Sequence, residues 1–247
     1  MIVSGAFLEI NDVAAGYGGG NVISNISLEV KAGETFGLIG LNGAGKTTLI
    51  KTILGLKDQS AGKISVAGHV AGTGAAKEQL AFLPERFDPA WFLNAYEFIN
   101  FTLSLYGRKV TKADIDAMAT KLGLKTEFLP RRAQTYSKGM RQKLGLMTTF
   151  MTGCPLLILD EPMSGLDPLA RAQVKDIIIE ARGQGRTTFL SSHILSDMEE
   201  LCDRIAVLHD GKIVFIGKPQ DLIAQSGQKQ LERAFLSLIG KSQPVAA

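Results

Sequence analysis

The chain has 247 residues, enough for one large domain or for a core domain with an inserted lobe. With 45% hydrophobic and 21% charged residues it can bury a sizeable core, and a net charge of +3 is too small to make nucleic acid or an anionic membrane surface its electrostatic partner. Cys154 and Cys202 have neither C-x-x-C spacing nor a His cluster beside them, which predicts two buried free thiols in a reducing compartment. The first residues lack the basic-then-apolar pattern of a secretory signal, and no apolar run reaches the length of a membrane span, so the expected location is the cytoplasm.

In chain order, Leu8, Ile10 and Val13, then Ile26, Leu28 and Val30, predict two antiparallel strands around a Gly-rich turn at 16–20. Residues 34–39 read as a short buried strand. Residues 46–54 read as a helix ended by Gly55. Between them, 40–48 spells Gly-Leu-Asn-Gly-Ala-Gly-Lys-Thr-Thr and fits the G-x-x-x-x-G-K-[ST] phosphate loop in the context that motif requires. Its glycines let backbone N–H groups turn inward, and the positive end of the following helix faces the same anion. Gly40, Asn42, Gly43, Ala44, Gly45, Lys46, Thr47 and Thr48 are therefore candidate nucleotide contacts. Lys46 can reach the β- and γ-phosphates, and the Thr47 hydroxyl can serve a bridging Mg²⁺.

Residues 63–66 predict a third strand, 67–76 a loop of small residues, and 79–83 a strand stopped by Pro84. The pattern then turns helical over 87–153. Asn94 with Glu97 caps a helix carrying Phe98, Phe101, Thr102 and Leu105 at helical spacing. Thr111 with Asp114 opens a second, and a third follows Ser137; their Met and Phe stripes read as core. Leu156 to Leu159 is a continuous apolar run, as for a strand buried on both faces. Asp167-Pro168 starts a helix, 187–191 is a further strand, Ser196 with Glu199 caps a short helix, and Asp210-Gly211 turns a hairpin. Two C-terminal helices follow, the last with Leu231, Ala234, Phe235 and Leu238 on one face, for packing or for a dimer contact; 242–247 reads as a frayed tail.

The expected fold is α/β: a P-loop core with a mostly parallel sheet, an N-terminal antiparallel β subdomain and an inserted α-helical lobe. As one domain, 1–86 and 154–220 form the core with its β subdomain, 87–153 the lobe, and 221–247 the C-terminal helices and tail.

Asp160-Glu161 ends the apolar strand as a Walker B pair does. Asp160 is placed to hold the Mg²⁺, and Glu161 to act as general base on an attacking water. Upstream, 136–143 reads Tyr-Ser-Lys-Gly-Met-Arg-Gln-Lys and resembles the signature motif of ABC ATPases. Ser164 to Asp167 matches that family's D-loop, and Ser191-Ser192-His193 its switch histidine. From about residue 7 to 217 the chain resembles the nucleotide-binding subunit of an ABC transporter. The resemblance implies an ATPase using ATP and Mg²⁺, with Glu161, His193 and Lys46 catalytic. It implies head-to-tail pairing, so that each ATP also meets Ser137, Gly139 and the D-loop Asp167 of a second ATPase subunit. Tyr17 falls where the family stacks an aromatic on adenine; taken alone, it can also be read as a turn aromatic packing on the first strands.

Two positions depart from the commonest pattern. The Q-loop glutamine is Glu85, an anionic carboxylate that can still hold a Mg²⁺-bound water and touch the partner, and the signature reads Ser-Lys-Gly-Met. Both variants resemble exporters whose ATPase and integral membrane permease subunits are separate chains, which implies a peripheral place on the cytoplasmic face of the cell membrane. Competing readings fit less well. A soluble ABC ATPase acting on DNA or ribosomes usually has tandem cassettes, coiled-coil insertions or zinc cysteines. A GTPase needs an Asn-Lys-x-Asp motif, a kinase needs no signature helix, and a non-hydrolysing regulator does not need Lys46, Asp160, Glu161 and His193 together.

Overall fold

A computed structural model describes residues 5–241. The tail expected at 242–247 lies outside the described residues. A four-stranded antiparallel sheet has the order β2 (Gly20–Lys31), β1 (Ala6–Tyr17), β4 (Ala61–Val66), β5 (His69–Val70). A six-stranded sheet has the order β10 (Lys212–Gly217), β9 (Arg204–His209), β3 (Thr35–Ile39), β8 (Thr187–Ser192), β7 (Leu156–Asp160), β6 (Leu80–Leu83). Its five strands from β9 to β6 are parallel, and only β10 is antiparallel.

Alternation along the central strands builds two cores. Phe36, Leu38, Ile158 and Phe189 face the small sheet and Leu49, Ile50 and Ile53 of helix α1 (Lys46–Ile53). On that side the Phe36 and Phe189 rings stack at 5.9 Å. Ile39, Leu157, Leu159 and Leu190 face the other way, into a cluster shared with the lobe and the later helices. The unbroken apolar run at 156–159 is thus explained: every residue is buried, on alternate faces.

The 67–76 stretch is not a plain loop. It holds β5 and one helical turn, α2 (Gly74–Lys77), capped by the Thr73 hydroxyl; the strand is two residues long, too short to give a periodic signal. In the lobe, α3 (Ala95–Leu105) and α4 (Lys112–Lys121) start at the capping boxes Asn94/Glu97 and Thr111/Asp114, as expected. The buried face of α3, however, is Ala95, Ile99 and Leu103. Phe101 and Leu105 are exposed, so this part of the aromatic stripe is surface rather than core. The helix meets its neighbours through Ala95, Ile99 and Leu103 instead.

Helix α5 (Lys138–Met151) runs from the signature motif into the shared core, buried almost all round from Leu144 to Phe150. Its C-terminal carbonyls are held by two arginines. Arg186 donates from Nε to Cys154 O and from Nη1 to Phe150 O, both at 2.8 Å, and Arg108 Nη1 donates to Thr152 O at 3.0 Å. Cations at a helix C-terminus meet both orphan carbonyls and the negative end of the dipole. Helix α6 (Pro168–Gly183) is capped by Asp167, with Pro168 in its first turn. Helix α7 (Leu195–Leu201) is not capped by Ser196, which lies within it; instead Ser192 Oγ accepts from Ile194 N just before the helix. Asp210 and Gly211 both take positive φ in the β9–β10 turn, as a tight hairpin requires. Helices α8 (Pro219–Ser226) and α9 (Leu231–Lys241) close the second core, where Leu231, Ala234 and Phe235 are buried, so this face of the last helix packs within its own chain.

Candidate functional site

Three adjacent parallel strands end on one edge. After β3 comes the phosphate loop, after β8 His193, and at the end of β7 Asp160 and Glu161. Carboxyl ends of parallel strands are where open α/β sheets bind ligands, because backbone N–H groups and helix N-termini gather there. The loop geometry needs its glycines. Gly45 is the N-cap of α1 at φ +108°, and a Cβ on it would stand 2.5 Å from Ile23 Cγ2. A Cβ on Gly40 would stand 2.5 Å from Leu208 O. Lys46 is buried and curls back into the loop, its Nζ donating to Gly40 O at 2.7 Å and Leu41 O at 3.3 Å.

The carboxylate side is organised by a residue to which sequence reasoning assigned no role beyond its place beside the switch histidine. Ser191 is fully buried; its Oγ donates to Asp160 Oδ1 at 2.5 Å and accepts from Glu161 N at 3.1 Å. The available signal was a hydroxyl at the end of a strand beside the one carrying the acids. Burial pushes the Asp160 carboxyl above its ordinary range; the Ser191 bond opposes this, Glu85 and Glu161 add to it, and Lys46 draws it back. Glu161 takes φ +49°, unusual for a residue with a Cβ and a form of local strain found at functional sites. Its N–H also reaches Ser191 O at 3.2 Å, and Ser164 N donates to its carbonyl at 3.0 Å, which fixes the bend. His193 Nδ1 lies 2.8 Å from Glu161 Oε2, where an Nδ1–H donates to the carboxylate.

Lys46, Asp160, Glu161 and His193 line one cleft of about 400 Å³, together with Tyr17, Val22, Leu41, Asn42, Gly43, Gly45, Thr47, Thr48 and Glu85. Val22 and Leu41 were not expected there. Two expected contacts do not line it. Gly40 lies beneath the loop as an acceptor for Lys46, and the buried Ala44 accepts from Gly211 N at 3.3 Å. Ser137, Gly139 and Asp167 stand apart, in a second cleft of about 270 Å³ with Lys143 and Leu166. There Ser137 Oγ accepts from Met140 N at 3.2 Å, and Asp167 Oδ1 from Ala170 N at 2.8 Å, so both cap helices. Glu85 is exposed and belongs both to the first cleft and to a third, which it shares with Lys138 and Arg141 of the signature helix.

The family model described as ABC transporter matches residues 23–164, more than half of the chain. The chain belongs to the ABC transporter family. Among curated relatives of this ABC protein, an uncharacterized ABC transporter ATP-binding protein of Synechocystis is 37% identical over 89% of this chain. The linearmycin resistance ATP-binding protein LnrL of Bacillus subtilis is 32% identical over 97% of this chain and 78% of its own length. The chain spans 66% and 61% of the lengths of its Synechocystis and Nostoc relatives. A solved structure described as the ATP binding subunit of an ABC transporter superposes with a TM-score of 0.86 at 33% identity, over 94% of this chain and 99% of that one. No helix among the described residues is long and apolar enough to cross a membrane.

Proposed function

We propose that this ABC chain is an ATP-hydrolysing subunit that drives transport, in the export direction, through separate integral membrane permease subunits. The observation that carries the reading is the geometry of two clefts. The phosphate loop, Asp160, Glu161 and His193 share one cleft, while Ser137 and Gly139 line another with no residue in common. A second copy placed head to tail brings its signature cleft to the first copy's phosphates, so each site is completed by two chains. In this reading Lys46 and the loop amides bind the β- and γ-phosphates, Tyr17 stacks on adenine, and Glu161 takes the proton of the attacking water while His193 holds it in position.

The donor set suits Mg²⁺. Thr47 and Asp160 supply one hydroxyl and one carboxylate, with Glu85 at the rim, which leaves positions for phosphate oxygens and water as this small cation prefers. Among the described residues, no three His, Cys, Asp or Glu side chains gather as an all-protein metal cage. A cation there would also compensate the buried Asp160 charge. When bound, it supplies charge neutralisation at the transferring phosphoryl group.

We assign 87–153 to a lobe that transmits closure, with Glu85 between the nucleotide cleft and the signature helix. Trp91, Phe92, Phe101 and Leu105 of this segment are exposed and apolar, which supports docking against a membrane subunit on the cytoplasmic face. The relative named for Nod factor export supports the export direction. The test is a tagged Glu161→Gln chain isolated from detergent-solubilised native membranes with ATP and Mg²⁺. The expected results are an ATP-dependent dimer, hydrolysis slowed about 10²- to 10⁴-fold, and a polytopic membrane protein in stoichiometric amount. Brisk turnover overturns the role of Glu161, and recovery of ribosomes or nucleic acid alone overturns the transport reading.

A further inference from the structure

Tyr17 ends β1 on the hairpin that continues as β2, and that tip is weakly held by its own sequence. Residues 18–20 are all glycine, and a Cβ on any of them would meet nothing within 4 Å. The support comes instead from the segment that leaves α1. Leu56 N and Lys57 N both donate to Lys51 O, at 2.9 and 3.2 Å, which turns the chain back towards the hairpin. Ser60 then grips it: its N–H donates to Ala14 O at 2.8 Å and its Oγ to Asn21 Oδ1 at 2.9 Å. Between these anchors, the half-buried Lys57 sets its ammonium 5.1 Å from the centroid of the Tyr17 ring, over its face. Tyr17 lines the nucleotide cleft and Lys57 does not.

We propose that Lys57 is a positioning residue for the nucleobase: from outside the cleft its ammonium holds one face of the Tyr17 ring, so that the other face is presented to adenine. This rests on the nucleotide reading of the cleft. The ring is half exposed, and on a glycine tip it has orientations to lose when a base stacks; a cation on its outer face removes part of that cost in advance. The lysine thereby extends α1 to both ends of the nucleotide, phosphates at its N-terminus and base through the turn after its C-terminus.

Calorimetric titration with ATP and with inorganic tripolyphosphate tests the assignment, because the second ligand has phosphates and no base. Lys57→Ala and Lys57→Met are expected to weaken ATP binding about twofold to fivefold. Met keeps the apolar stem without the charge. Lys57→Arg is expected to restore wild-type affinity, and tripolyphosphate to bind all three variants as it binds the wild type. Wild-type ATP affinity in Lys57→Met, or equal loss of both ligands, overturns the proposal. Lys46→Ala separates the two levels: undiminished tripolyphosphate binding by that variant overturns the nucleotide reading itself.

Discussion

Ser191→Ala isolates the contact that organises the acidic side of the cleft. The substitution removes one oxygen from a fully buried position, taking with it the 2.5 Å donor to Asp160 Oδ1 and the 3.1 Å acceptor for Glu161 N. The second loss is cushioned, since Glu161 N keeps Ser191 O at 3.2 Å. The first is not: a buried carboxylate loses a charge-assisted bond worth about 1.5–3 kcal/mol, less what is regained by no longer burying the hydroxyl. A net destabilisation of about 2 kcal/mol is expected. In an Asp160→Asn background the same bond joins neutral partners, so Ser191→Ala should cost only about 1 kcal/mol there. Urea unfolding of the wild type, both single variants and the double variant, without nucleotide, measures the difference as a coupling of about 1 kcal/mol. Additivity within about 0.5 kcal/mol would show that the hydroxyl does not support the carboxylate, and would refute the reasoning.

Two further expectations concern parts of the chain that carry no chemistry. Cys154 and Cys202 are buried free thiols, both with their thiols pushed above the ordinary range by burial, so an aromatic disulfide reagent at neutral pH should label neither until the chain unfolds; prompt labelling of the native protein would contradict their placement. On α3, Ile99→Ala should lower stability by about 2–5 kcal/mol while Phe101→Ser changes it by less than about 0.5 kcal/mol. Denaturant midpoints for the two variants check this, and the reverse order would mean that the helix presents its other face to the core.

What was legible in the sequence follows from which features are local. The phosphate loop, both lobe capping boxes, the Asp167-Pro168 start and the Asp210-Gly211 turn each need only neighbouring residues, and each stands where expected. The buried face of α3 depends on how closely other elements approach, so large exposed aromatics outweighed Ala95, Ile99 and Leu103 in the reading. The same holds in the site. The type of each acid was readable, whereas the Ser191 bridge and the left-handed turn at Glu161 exist only because β7 and β8 lie side by side. The separation of the signature residues from the phosphate loop follows from the resemblance but not from any spacing, since both segments end near helix N-termini in the same chain.

The arginine-held end of α5 makes that helix a lever. Its fourteen residues span about 21 Å, so a turn of about 10° about the held end carries Ser137 through about 4 Å. The carbonyls of Phe150, Thr152 and Cys154 mark the fulcrum, where Arg108 reaches in from the lobe and Arg186 from the foot of β8. A small rotation about that end would be converted into ångström-scale travel at the signature motif.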